Sequence, residues 1–140
     1  MSDWQEEMAD IIAEVARNLL AKHGMNNRGI LLLSSLSLDG VTYNVFIGKE
    51  STIEYSLVVD DDMENVELMR DFKYTAPTKN RCEAVELFIK DGKASTKLLY
   101  KGDIEPEYEF DRRDEVVFSY FGKHPIIYPP MPFGTWDVEL

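Results

Sequence analysis

The chain has 140 residues, of which 44% are hydrophobic and 11% aromatic, which is the usual size of one domain and supplies enough apolar material for one core. Twenty-six acidic residues against fifteen basic ones give a net charge of −11. This charge repels nucleic acid and anionic membranes, so both are unfavourable partners. It attracts basic proteins, although an acidic surface can also serve solubility alone.

The cysteine content and the N-terminus indicate a cytoplasmic location. Cys82 is the only cysteine, so no disulfide can form within the chain, as suits a reducing compartment. The first residues lack the basic start and apolar run of a secretory signal. No stretch approaches the roughly 18–20 apolar residues of a membrane span. We therefore expect a soluble cytoplasmic protein with one domain over residues 1–140.

The N-terminal segment is predicted to form an amphipathic helix over residues 3–23. Apolar side chains recur there at three- and four-residue spacing, from Trp4 to Leu20. A serine and an aspartate at positions 2 and 3 can cap the start of the helix, and a glutamine or glutamate three residues later completes a capping box. Gly24 suits the position just past its end.

Strands are predicted next, because apolar and polar residues alternate. Residues 29–37 lead into the two-residue hairpin signal Asp39-Gly40, and the alternation continues over 41–48 and 52–59. This alternation predicts strands that bury one face and expose the other.

The remaining predicted elements are shorter. They are a helix over 62–73 after the triplet Asp60–Asp62, a loop over 75–80, a hairpin of 82–90 and 94–101 around Asp91-Gly92, a helix from Asp111 to about Phe121 ended by Gly122, and a proline-rich tail laid on the core as an extended arm. The predicted fold class is α+β. The N-terminal amphipathic helix packs on an antiparallel meander sheet of about five strands, with one or two short additional helices.

The sequence shows no catalytic or cofactor-binding motif. His23, His124 and Cys82 fall in separate predicted elements, which gives no local support for a nucleophile pair. Metal-ligand spacings and phosphate-binding glycine loops are absent from the sequence. We therefore predict no catalytic, metal or cofactor site and do not expect an enzyme. A small enzyme that uses only carboxylates stays an alternative, because paired carboxylates need no motif.

The acidic stretch 103–115 is the main candidate binding surface. It sets aromatic residues among carboxylates, a combination enriched at protein interfaces, although such runs are also ordinary solvated surface. The triplet before the second helix forms a second acidic patch. The predicted partner-binding residues are Asp103, Glu105, Glu107, Tyr108, Glu109, Asp111 and Asp114, together with Asp60, Asp61 and Asp62.

The C-terminal part of the chain also carries a recognisable pattern. A tyrosine at a strand end precedes the acidic stretch, and an arginine, two aromatics, a glycine and a proline follow: Tyr100, Arg112 or Arg113, Phe118, Tyr120, Gly122 and Pro125. The segment from Leu98 to Pro125 thereby resembles the YezG-like immunity proteins of bacterial polymorphic toxin systems. It differs in having phenylalanine where family members often have tryptophan, one residue rather than two before the glycine, and a shorter central helix.

This resemblance implies an immunity protein, or antitoxin, that neutralises a cognate secreted toxin in the cytoplasm, as in contact-dependent inhibition. The implied partner is a basic toxin, often a nuclease, and occlusion would be electrostatic and steric. We expect a monomer or weak dimer with no cofactor. The chief alternative is an acidic export chaperone of the type III secretion class, although such chaperones end in a long amphipathic helix where this chain has prolines.

Overall fold

The structure is a computed structural model that describes residues 2–37, 40–103 and 113–129. It contains three α-helices and seven short strands in these ranges. In chain order they are α1 (Asp3–His23), β1 (Ile30–Ser37), β2 (Gly40–Val41), β3 (Asn44–Gly48), β4 (Ile53–Ser56), α2 (Met63–Thr75), β5 (Ala84–Lys90), β6 (Lys93–Leu99), α3 (Arg113–Phe121) and β7 (Ile126–Ile127). The α+β class is thus confirmed, with more strand segments than the five expected.

The strands form one sheet in the order β6-β5-β1-β3-β4-β7, and β2 extends the pairing with β1. All neighbours are antiparallel except β4 and β7, which are parallel. β5 pairs with β1, so the second hairpin joins the first strand rather than the end of the meander. The long apolar strand β1 therefore lies in the interior of the sheet.

Helix α1 begins and ends as its sequence predicts. Gln5 Oε1 accepts a hydrogen bond from the backbone N–H of Ser2 at 2.9 Å, and Gly24 follows the last turn with φ +79°. A glycine suits this position, because side chains with a Cβ rarely adopt a positive φ. The hairpin turn at Asp91 and Gly92 is confirmed as well, since both residues have positive φ.

Helices α1 and α2 cover one face of the sheet and run antiparallel to each other. Asn65 of α2 lies between them: its Oδ1 accepts a hydrogen bond from Asn18 Nδ2 at 2.9 Å, and its Nδ2 donates to the hydroxyl of Tyr43 at 3.0 Å. Below them, the core consists of Val15, Leu19, Ile30, Leu32, Leu36, Val45, Met69, Phe72, Val85, Leu87 and Ile89.

Helix α3 covers part of the opposite face. Leu31, Leu33 and Phe46 point to this side and pack with Ile53 and with Val117 of α3. The sheet is therefore buried on both faces near β1 and β3. The expectation of one buried and one exposed face is wrong for these strands, because the continuous run Ile30–Leu33 sends apolar side chains to both sides.

The first hairpin is present, but its strand register differs from the one that the dipeptide Asp39-Gly40 predicts. Ser37 pairs with Gly40 and Leu36 pairs with Val41, so Gly40 belongs to the strand. The same register continues to the pair Ile30 and Ile47.

The predicted tail is described only in part: β7 lies beside β4, whereas residues 130–140 are outside the described part.

Candidate partner-binding surface

Half of the predicted partner-binding residues can be placed in the fold. Asp103 is exposed in the turn after β6, where its Oδ2 accepts a hydrogen bond from the backbone N–H of Tyr100 at 2.9 Å. Asp114 is exposed in the first turn of α3, where a carboxylate favours the positive end of the helix dipole. Glu105, Glu107, Tyr108, Glu109 and Asp111 lie outside the described residues.

The triplet before α2 divides into two exposed residues and one buried residue. Asp60 and Asp61 are exposed in a single 3-10 turn. The side chain of Asp62 is only 6% exposed and pairs with Lys22 at 2.8 Å. Asp62 therefore joins the two helices in the interior of the protein. Its assignment to the predicted acidic patch is wrong.

Asp103 and the triplet Asp60–Asp62 lie near opposite ends of α1, whereas Asp114 lies on α3, over the other face of the sheet. Tyr100, close to Asp103, lines a groove with Trp4 at the start of α1, whereas Asp62 contacts Lys22 near its end. At 1.5 Å per residue, these two positions on α1 are separated by roughly 27 Å.

The exposed sides of α1 and α2 each carry a stripe of acidic residues, and we call the two stripes together the acidic helical face. Its residues recur at three- and four-residue spacing, so each helix presents them as one stripe. They are Asp3, Glu6, Glu7, Asp10 and Glu14 on α1, and Glu64, Glu67 and Asp71 on α2. Among the described residues, only Glu14 of this set forms an ion pair, with Arg17 at 3.0 Å.

An apolar groove borders α1 on the side of β6. It has a volume of about 390 Å³, and its walls come from α1, α2 and the edge strand β6 with the residue that follows it: Trp4, Met8, Ile12, Phe72, Leu98 and Tyr100. Tyr100 is 41% exposed. In the described part of the chain β6 pairs only with β5, so its outer edge also faces this side. The groove and the α1 part of the acidic helical face lie on neighbouring sides of α1.

Burial keeps three titratable groups of the described structure in their neutral forms. Burial raises the pKa of the Cys82 thiol, which disfavours the reactive thiolate. Burial and neighbouring Lys22 lower the pKa of His23, and its Nε2 has no hydrogen-bond partner among the described residues. Burial raises the pKa of Tyr43 to about 12, against the opposing effect of its hydrogen bond with Asn65. All three groups stay in their neutral forms near neutral pH.

Residues 2–37, 40–103 and 113–129 contain no group of three or more histidine, cysteine or acidic side chains placed to hold a metal ion. The same ranges contain no helix long and apolar enough to cross a membrane.

Sequence reasoning placed the acidic binding surface in 103–115 and missed the acidic helical face. The signal was present, because the acids of α1 recur on the polar side of a predicted amphipathic helix. The groove had no comparable signal, since its walls come from segments about ninety residues apart in the chain.

A search of protein families and of curated proteins finds no family model and no sequence that matches this chain.

Proposed function

We propose that this chain is an immunity protein that binds a basic protein toxin and neutralises it in the cytoplasm by electrostatic and steric occlusion. The observation that carries the proposal is the acidic helical face beside an apolar groove on α1. It is joined by the resemblance of Leu98–Pro125 to the YezG-like immunity proteins. A nuclease is the favoured toxin class, because an enzyme that holds phosphate needs a basic site.

The two surfaces combine the usual parts of a protein interface. Affinity comes mainly from a few apolar or aromatic anchors in a desolvated centre, and charged residues around them direct the approach. Here the groove, with Trp4 and Tyr100, supplies the centre, and Glu7 and Asp10 belong to the charged border. A standard interface buries about 1,600 Å² in total, which is large enough to include both surfaces.

The first experiment identifies the partner. The tagged chain is used to capture proteins from cells that express the neighbouring reading frames. We expect one basic protein that is toxic when expressed alone and harmless when co-expressed with this chain. Capture of a protein without toxicity, or toxicity that co-expression does not relieve, argues against an immunity function.

The second experiment locates the docking surface. The double variant Glu7→Lys/Asp10→Lys should slow association with the captured toxin by about tenfold or more and weaken its dependence on salt. The matched control, Glu50→Lys/Glu54→Lys, makes the same change of charge in the β3–β4 turn and in the first part of β4, outside the acidic helical face. Equal association rates for the two double variants would exclude this face.

A parallel pair of variants tests the groove. Tyr100→Ala removes an exposed aromatic side chain from its wall, and we expect faster dissociation of the toxin. Tyr128→Ala, which changes a similarly exposed tyrosine beyond α3, serves as the control. The acidic stretch 103–115 is tested in the same assay with Glu105→Lys/Glu107→Lys/Glu109→Lys.

A further inference from the structure

A second cavity lies at the end of the sheet where β3 and β5 end and β4 begins. Its volume is about 350 Å³, and basic side chains from four separate segments line it: Arg28, Lys49, Lys90 and His124. None of its lining residues is acidic, although acidic residues outnumber basic ones by 26 to 15 in the whole chain. The local charge of this cavity is thus opposite to that of the protein.

Two of these cations are not neutralised by a carboxylate. In the described structure neither Arg28 nor Lys90 forms an ion pair, and Arg28 Nη1 donates only to the backbone oxygen of Glu50 at 3.2 Å. Lys49 lies 3.3 Å from Glu54, but both side chains are half-exposed, and such pairs contribute little. The described lining of the cavity therefore carries positive charge and no carboxylate.

Hydrogen bonds of the surrounding backbone fix the cavity walls. Asn26 Nδ2 donates to the carbonyl oxygen of Gly48 at 3.1 Å, and Asn26 Oδ1 accepts from the backbone N–H of Arg28 at 2.8 Å. The backbone N–H of Ile53 donates to the carbonyl oxygen of Pro125 at 2.8 Å. These bonds tie the segment before β1 and the turn after α3 to the β3–β4 hairpin, so the cavity is formed before a ligand arrives.

Close packing at Gly48 adds to this rigidity. A Cβ at this position would lie 2.9 Å from the carbonyl oxygen of Arg28 and 3.0 Å from the ring of Phe121. The absence of a side chain lets the end of α3 approach the strands. Phe121 and Tyr120 then form the apolar side of the cavity, opposite its basic groups.

We propose that this cavity binds a small phosphate-bearing molecule. A guanidinium and two amines around one space suit an anion with more than one negative charge, and arginine can contact a phosphate with two parallel hydrogen bonds. The volume is near the lower end for ligand pockets, which suits a phosphate monoester or diphosphate rather than a polymer. This site is separate from the acidic helical face and does not depend on toxin binding.

The test is a titration of the isotope-labelled chain followed by NMR, with inorganic phosphate, pyrophosphate and phenyl phosphate as probes. We expect saturable shifts at the amides of Asn27 and Gly48, with pyrophosphate binding more tightly than phosphate because of its larger charge. Phenyl phosphate should also bind more tightly than phosphate, since its ring can pack on Phe121. Sodium chloride at matched ionic strength should produce no saturable shift.

Charge-reversal variants assign the binding to the cavity. Lys90→Glu should weaken pyrophosphate binding by about tenfold or more, whereas Lys79→Glu, which makes the same change at the opposite end of the sheet, should leave it unchanged. Lys90 has an exposed side chain without a described contact, so its replacement should not affect folding, and circular dichroism checks this. Absence of saturation at millimolar pyrophosphate, or equal weakening by both variants, would overturn the proposal.

Discussion

The carboxylate of Asp62 accepts hydrogen bonds from Lys22 Nζ at 2.8 and 2.9 Å, and this contact joins the start of α2 to the last turn of α1. The same carboxylate accepts a hydrogen bond from the backbone N–H of Val59 at 2.9 Å. One side chain thus fixes both the entry into α2 and the antiparallel packing of the two helices that carry the acidic helical face.

Replacement of this carboxylate should destabilise the fold. Asp62→Ala leaves the ammonium of Lys22 and the N–H of Val59 without their acceptor, at a cost of about 2–4 kcal/mol in the free energy of unfolding. Urea denaturation followed by circular dichroism measures this change. The neighbouring variant Asp61→Ala alters an exposed carboxylate and should cost less than about 0.5 kcal/mol. Equal denaturation midpoints for the two variants would contradict the assigned role of Asp62.

The triplet Asp60–Asp62 shows how far sequence reasoning extends here. The position of the triplet before α2 predicted its place at a helix start, because carboxylates favour a helix N-terminus and this effect is local, although the Asp62 side chain makes no cap hydrogen bond to α2. Burial of only the third member depends on Lys22, forty residues earlier, which the local pattern does not include. The ends of α1 were predicted correctly, because helix caps depend on neighbouring residues in the sequence. The burial of Asp62 was not predicted, because an ion pair between two elements depends on residues far apart in the sequence.

Tyr120 of α3 donates a hydrogen bond from its hydroxyl to the buried carboxylate of Glu86 on β5 at 2.6 Å. Burial, followed by the effect of Glu86, raises the pKa of Tyr120, so the hydroxyl keeps its proton. Tyr120→Phe removes one donor to a buried acceptor and should lower the free energy of unfolding by about 1–2 kcal/mol. Tyr100→Phe, at an exposed tyrosine, should have almost no effect. A double-mutant cycle with Glu86→Gln measures the coupling, and a coupling of zero would refute the interaction.

Val117 is fully buried where α3 meets Leu31, Leu33 and Phe46. Val117→Ala leaves a small cavity in this second core and should destabilise the protein by roughly 2 kcal/mol. The same truncation at Val58, which is 44% exposed, should change stability by less than about 0.5 kcal/mol. If both variants unfold at the same urea concentration, α3 does not cover the sheet as described.

The second core also marks a limit of pattern reading. The run Ile30–Leu33 predicted a strand correctly, but its alternation with polar residues begins only at Ser34. A continuous apolar run indicates that a strand is buried on both faces of the sheet. Here the second face is buried by α3, which lies about eighty residues further along the chain. The groove beside α1 and the basic cavity at the strand ends are equally non-local. Both combine residues that only the folded sheet brings together.

His23 gives a prediction about pH. Burial and the charge of Lys22 lower its pKa from the ordinary value of 6.5, so the folded state binds this proton less readily than the unfolded state. The resulting stabilisation is fully present above pH 6.5 and is lost as the pH falls toward the lowered folded-state pKa, because the unfolded chain becomes protonated first. The free energy of unfolding should therefore decrease between neutral and mildly acidic pH, before most carboxylates titrate.

Two single variants separate His23 from the other groups that titrate in this range. His23→Gln cannot take up the proton, so the free energy of unfolding should depend less steeply on pH between about 7 and 5. His124→Gln replaces the other histidine of the chain and serves as the control. Urea denaturation at half-unit pH intervals compares the three proteins. A parent slope that His23→Gln leaves intact would contradict this prediction, because it would assign the pH dependence to other groups.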